Sequence, residues 1–154
     1  MMHHKNCSSH TGKKVGGVTL CDCVPVSPPP VPVFMSRDPA VRKRIPVASG
    51  FFKYFPNAIK CVSIVSRVGN DQHNPGQPLH WAKEKSRDEE DAGARHTLDA
   101  LSGEPTDPAL AELEELGHLA QRAWRAMAAL ERACDAKAAV YLAALSAADT
   151  ERAQ

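Results

Sequence analysis

A chain of 154 residues has room for one domain of ordinary size and some tail. Hydrophobic residues make up 43% and aromatic residues only 5%, so alanine, leucine and valine carry the apolar content, which points to a modest helical core and away from a β-sandwich. The formal net charge of +1 supplies no bulk field for a polyanion: a nucleic-acid partner is not called for, and any phosphate must be met by a local cluster.

No stretch reaches the roughly 18 consecutive apolar residues of a membrane-spanning helix, so no membrane partner is expected. The opening residues Met1 to His10 lack the apolar stretch of a signal peptide, and a cytoplasmic protein is the expectation. The cysteines (Cys7, Cys21, Cys23, Cys61 and Cys134) form an odd set, which argues against a disulfide framework. Cys21-Asp22-Cys23 lacks the two-residue separation of a zinc knuckle, which leaves Cys7, His10, Cys21 and Cys23 a weak metal set. Cys61 and Cys134 fall in apolar helical patterns and read as small hydrophobes.

Residues 1–45 read as a disordered or extended tail. Val24 to Val33 is proline-rich and favours polyproline II, and Arg37 to Arg44 is strongly basic. Such sequence buries too little apolar surface to offset an ordering cost of about 1–2 kcal/mol per residue. Residues 46–148 read as the folded domain. Pro56 suits the first turn of a helix, where its missing N–H is harmless. Ala58, Ile59, Val62, Val65 and Val68 then make an apolar stripe, widened by Cys61 and Ile64, and Gly69-Asn70 offers a stop.

Asp71 to Lys85 reads as a long loop, broken by Pro75-Gly76 and Pro78. Loops of this length inside a compact domain are often functional, and this one carries His73, His80, Trp81, Lys83 and Lys85. The second helix opens on a capping box, Ser86 with Glu89, and ends at Ser102-Gly103. Thr106-Asp107 caps a third, with Pro108 at its first helical position and Leu113, Leu116, Ala120, Ala123, Met127, Leu130 and Cys134 on one stripe. Gly117 is its weak point, costing about 1 kcal/mol against alanine. An alanine-rich continuation to about Ala148 either extends this helix or forms another. The fold class is all-α: a small bundle of three to four helices, with a long loop between helices one and two.

Helix two holds most of the candidate chemistry. Asp88 and Asp91 are three apart, as are His96 and Asp99, and as are Glu115 and His118 on helix three. Such spacing places two ligands one turn apart, and pairs from two helices can converge on one ion. The carboxylates Asp88, Asp91, Asp99 and Glu115 would suit Mg²⁺ better than zinc. The plainer alternative makes Asp91, Arg95 and Asp99 an ion-pair ladder worth a few tenths of a kcal/mol per pair, and Asp88, Glu89 and Glu90 dipole partners on a solvated face. Trp81 with Lys83, Lys85 and Arg87 could stack a base and neutralise a triphosphate, or Trp81 could simply anchor its loop by burial. Neither a glycine-rich phosphate loop nor a G-x-S-x-G elbow occurs, so nucleophilic catalysis has no support.

The stretch from Tyr54 to Ser86, with Gly69-Asn70 leading to His80-Trp81, is similar to the N-terminal domain of the phage dATP/dGTP diphosphohydrolases. So are Asp91-Ala92-Gly93-Ala94-Arg95-His96 and the run from His118 to Glu131. That family is grouped with the MazG-type all-α nucleoside triphosphate pyrophosphohydrolases. The resemblance implies Mg²⁺-dependent cleavage of a purine deoxynucleoside triphosphate to the monophosphate and pyrophosphate, by a homo-oligomer. On matching positions it marks His80, Trp81, Lys83, Asp91, Arg95, His96, His118 and Trp124. Asp91, His96 and His118 would take the catalytic end, and His80, Trp81, Lys83 and Arg95 would hold the nucleotide. Two features depart from the pattern: Asn57 to Val68 contains no carboxylate, and Asp107 is followed by Pro108 and an acidic stretch before Gly117-His118. The departures keep open a non-catalytic accessory protein that retains the helical fold, and the Arg37–Arg44 stretch keeps open a nucleic-acid arm.

Overall fold

The computed structural model describes residues 29–85 and 87–152, together with the paired strands β1 (Lys14–Val15) and β2 (Val18–Thr19), which run antiparallel. Ser86, the tail cysteines and the rest of the expected tail up to residue 28 lie outside the described residues. The chain divides into two compact units, one of Met1–Pro30 with Tyr141–Gln154 and one of Val31–Val140. The second carries the candidate residues of the Asp71–Lys85 stretch and of the second and third helices. Its architecture is the expected all-α one.

Residues 31–45 hold short ordered turns. A 3-10 turn covers Val33–Met35, and α1 (Pro39–Arg42) is started by Asp38, whose Oδ1 accepts from the Ala40 N–H at 2.8 Å. A wide helical turn, Val47–Phe52, leads into α2 (Pro56–His73), where Pro56 occupies the first turn as its chemistry dictates. Helix α2 does not stop at Gly69-Asn70. It continues to His73 and ends at Asn74, ahead of Pro75-Gly76. Asn70 is buried and turned to another use: its Oδ1 accepts from the His80 N–H at 3.1 Å and its Nδ2 donates to the Gln77 carbonyl at 3.2 Å. One side chain thus replaces the backbone pairing that Pro75 and Pro78 deny the loop.

Helix α3 (Glu89–Ser102) begins at Glu89 and ends where expected, with Gly103 in the left-handed conformation at φ 71°. Asp107 then caps the next segment, its Oδ1 accepting from the Ala109 N–H at 2.8 Å. That segment, Pro108–Leu116, winds as 3-10 turns and not as the first turns of an α-helix. Glu114, at φ 48° and ψ −131°, breaks it from α4 (Gly117–Arg152), which absorbs the alanine-rich continuation. The core sits between α2 and the 3-10 segment. Val68, Leu110, Leu113 and Ala120 are buried there, with Cys61, Ile64 and Val65 packed against them. Leu110 is 2% exposed, a burial worth about 1.5–3 kcal/mol. The Trp124 Nε1–H donates to Ser66 Oγ at 2.7 Å, and Arg67 pairs with Glu112, which tie α2 to α4 and to the 3-10 segment.

Gly117 reverses the expectation that alanine would serve better. Its backbone is ordinary α-helix at φ −56° and ψ −50°, but a Cβ there would lie 1.9 Å from Thr106 Cγ2. Thr106 is in turn held by its own hydroxyl, which donates to the Glu114 carbonyl at 2.8 Å. Gly117→Ala should therefore lower stability by about 1–3 kcal/mol, the usual cost of overpacking, despite the gain in helix propensity. Urea unfolding measures it, and adding Thr106→Ala should recover part of the loss. An alanine variant at least as stable as the parent would contradict the contact.

Candidate functional site

The corner that Gly117 permits brings the chain from α3 back onto the start of α4. His118, the second residue of α4, is 8% exposed, and its Nε2 lies 3.2 Å from the Glu104 carbonyl. A carbonyl can only accept, so in the neutral ring Nε2 carries the proton and Nδ1 keeps its lone pair. Nδ1 is buried without a hydrogen-bond partner, and so is the Nδ1 of His96, on α3. The two rings face each other with centroids 5.9 Å apart at a tilt of 35°. Asp99 lies one turn beyond His96 on α3. One donor atom from each of His96, Asp99 and His118 lies within 4.8 Å of the others, and among the described residues no other group of three or more His, Cys, Asp or Glu comes so close.

His96 titrates below its ordinary value of 6.5. Burial is the main cause, and the nearby Arg125 guanidinium and His118 add to it against the opposing Asp99 carboxylate. The ring is therefore kept neutral at pH 7. It lines a cleft of about 1190 Å³ that also holds His80, Trp81, Lys85, Trp124, Arg125 and Arg132. His118 borders a second hollow of about 780 Å³, with Glu104, Glu115 and Arg122. The histidine pair thus stands in the wall between the two.

The remaining candidates take different places. Asp91 is exposed on α3 and lines neither hollow. Asp88 precedes α3, and its carboxylate meets Arg95 Nη2 at 2.9 Å, so the pairing of Arg95 runs back across two turns and not along an Asp91–Arg95–Asp99 ladder. Glu115 is exposed and borders the smaller hollow with His118, but it stands outside the cluster of donors.

Mg²⁺ requires near-octahedral oxygen ligation. The carboxylates expected to supply it, Asp88, Asp91, Asp99 and Glu115, are not gathered, and the donors that are gathered are two imidazoles and one carboxylate. These residues do not fit a Mg²⁺ cage on the protein.

Trp81 packs edge-on against Trp124, centroids 5.5 Å apart, with Lys83 Nζ 5.0 Å and Arg132 Cζ 5.8 Å from its ring centre. Lys83 bonds Asp135 at 2.7 Å and approaches Glu131 at 3.5 Å; the Asp135 hydrogen bond raises the pKa of its ammonium group. Trp81 anchors the loop and still borders the cleft.

Three residues of the site escape a reading of the sequence. Glu89, expected to close a capping box and face solvent, is 5% exposed and meets Arg132 Nη2 at 3.0 Å. Arg125 and Arg132 lie in a stretch where alanines and leucines dominate the pattern. Their separation of seven, one α-helical face, is the signal that could have found them. α3 packs against that face at Gly93, where a Cβ would meet Arg125 Cβ at an ordinary contact distance of 3.6 Å.

No family model matches the chain, and comparison with the curated proteins and with solved structures returns no match.

The lowered pKa of His96 has a consequence for stability. The unfolded chain takes up the His96 proton at a higher pH than the native one, so the stability tied to the neutral ring is fully present above pH 6.5. It is lost as the pH falls through the native value. In chelator-treated samples, thermal unfolding should decline more steeply from pH 7 to pH 5 in the parent than in His96→Gln. Parallel pH curves for the two proteins would refute this assignment.

Proposed function

We propose that this chain is a nucleotide hydrolase that cleaves a purine deoxynucleoside triphosphate, dATP or dGTP, to the monophosphate and pyrophosphate in phage nucleotide metabolism. The observation that carries the proposal is the make-up of one cleft. Indole rings (Trp81, Trp124), the Arg125 guanidinium and a neutral imidazole (His96) line the same space. Those are the groups that meet a purine face, a polyphosphate and a reacting water. Phosphoryl transfer needs little covalent help, which agrees with the lack of an activated serine or cysteine motif. Mg²⁺ enters as the partner of the substrate's own phosphates, not as a resident of a protein cage. The rival accessory role draws on a specific observation: Lys83 and Arg95 are each ion-paired within the chain, and Asn57 to Val68 lacks a carboxylate.

Incubation of the purified protein with dATP or dGTP and Mg²⁺, with pyrophosphate measured, separates the two. Release is expected, and His96→Ala should cut it about 100-fold or more. Nucleotide binding without release would establish the accessory role instead.

The same reading takes the protein as a homo-oligomer. Phe51, Phe52 and Phe55 stand exposed at the edge of the cleft, an apolar group that a second copy would cover. Light scattering on the eluting protein should give at least twice the chain mass, and Phe52→Glu should reduce it. A single-chain mass at micromolar concentration would rule out that assembly.

A further inference from the structure

We infer that His96, Asp99 and His118 form a three-ligand site for a borderline-soft transition dication of the zinc type, bound at the wall between the two hollows. The inference deepens the proposed hydrolase by supplying its resident metal, and it rests on geometry that stands whether or not the nucleotide is hydrolysed.

Three observations carry it. First, the donor set is two nitrogens and one carboxylate oxygen, which selects zinc and its neighbours over the all-oxygen ions. Second, His118 is more than nine-tenths buried and its Nδ1 has no hydrogen-bond partner, a costly arrangement for a polar atom unless something fills it. Third, the opposite nitrogen of that ring is fixed by the Glu104 carbonyl at 3.2 Å. Metal-bound histidines recurrently donate their second ring N–H to a carbonyl or carboxylate, which sets the tautomer and aims the lone pair. His118 already has that second contact in place.

The spacing agrees. Ligand atoms around a tetrahedral ion with bonds of 2.0–2.1 Å lie about 3.3 Å apart. Here the donor atoms lie within 4.8 Å of one another, a difference that side-chain torsions can close. His96 and Asp99 are only partly buried, so both can rotate inward. Their i, i+3 spacing on α3 keeps them on one face throughout. Three protein ligands would leave a fourth position open, as at catalytic zinc sites, and one of the three, His96, lines the cleft. Asp91 and Glu115 take no part.

The test uses the full chain, stripped with chelator, in a Cys7→Ser, Cys21→Ser, Cys23→Ser background so that the N-terminal thiols cannot bind the metal. Zn²⁺ is titrated against a chromophoric chelator with excess Mg²⁺ present throughout. One equivalent per chain is expected, unaffected by Mg²⁺. Loss of an outer-shell partner usually costs about 10–100-fold in affinity, so His118→Gln, His96→Gln and Asp99→Asn should each weaken binding by more than about 100-fold. Circular dichroism shows whether each variant keeps its helices. Nitrogen NMR of the unsubstituted histidines gives a readout that needs no variant: Zn²⁺ should move His118 Nδ1 and leave Nε2 protonated. No bound Zn²⁺, a stoichiometry indifferent to both histidine substitutions, or a metal shift at Nε2 would overturn the site. Pyrophosphate release from the same samples keeps the two proposals apart. Bound Zn²⁺ without hydrolysis removes the hydrolase and keeps the metal site, whereas Mg²⁺-supported hydrolysis without bound Zn²⁺ does the reverse.

Discussion

A hydrogen bond from the His118 Nε2–H to the Glu104 carbonyl ties the candidate chemistry of this protein to its fold. It exists because the segment from Gly103 to Asp107 is folded back onto the first turn of α4, and several unlike requirements converge there. Gly103 takes the left-handed conformation that ends α3, Thr106 spans to the Glu114 carbonyl, and Gly117 omits the side chain that would strike Thr106. The tautomer of His118, and so the direction of its free lone pair, is thus set by residues that never touch a ligand. A buried imidazole with only one nitrogen satisfied would be an expense for a purely structural helix. Here it faces a second imidazole and a carboxylate.

How much of this could be read from the sequence depends on whether the signal was local. The end of α3 was legible because a glycine beyond the last apolar turn meets a rigid stereochemical need, and φ 71° at Gly103 satisfies it. Gly69-Asn70 carried the same residue types and misled. Helix α2 keeps burying apolar surface through Val68, and Asn70 is claimed by distant partners, Gln77 and His80, that no local pattern reveals. The tendency of asparagine to end a helix is worth tenths of a kcal/mol, while two side-chain hydrogen bonds in a buried position are worth about 1–3 together. The tertiary claim wins. Glu89 was misplaced for the same reason. Its spacing from Ser86 satisfied a capping rule, but its carboxylate is buried against Arg132, far along the chain.

At the site, spacing identified the donor pair on α3 but not which residue of the following segment would meet it. His96 and Asp99 share a face because α3 is regular between them, so the three-residue rule holds. Glu115 and His118 carry the same spacing and border the same hollow, but Glu115 is exposed and stands outside the cluster of donors. The two histidines also illustrate the reach of periodicity. Each is visible as a polar residue in a helical pattern, yet their approach to 5.9 Å depends on a turn whose key contact is the absence of a methyl group at Gly117. The same limit applies to the metal: the spacing of carboxylates pointed to Mg²⁺, whereas the donors that the fold gathers are two imidazoles and one carboxylate.

The charges around the cleft divide into groups that a polyanion can recruit and groups that it cannot. Lys83 and Arg95 hold their carboxylate partners at the surface, where solvent screens such pairs, so exchanging Asp135 or Asp88 for a phosphate costs little. Arg132 differs, because its partner Glu89 is buried, and stripping a guanidinium from a buried carboxylate leaves an uncompensated charge. Arg132 therefore serves as a fixed wall beside Trp81, holding α3 to α4. Arg125, stacked 5.4 Å from the Trp124 ring centre and lining the cleft, combines a rigid placement with a charge directed at the open space. Burial first, and then the Arg125 field, lowers the pKa of His96, which keeps that imidazole neutral and its lone pair available. A guanidinium that would attract phosphate and a ring held ready for a proton or a metal are thus coupled electrostatically between α3 and α4.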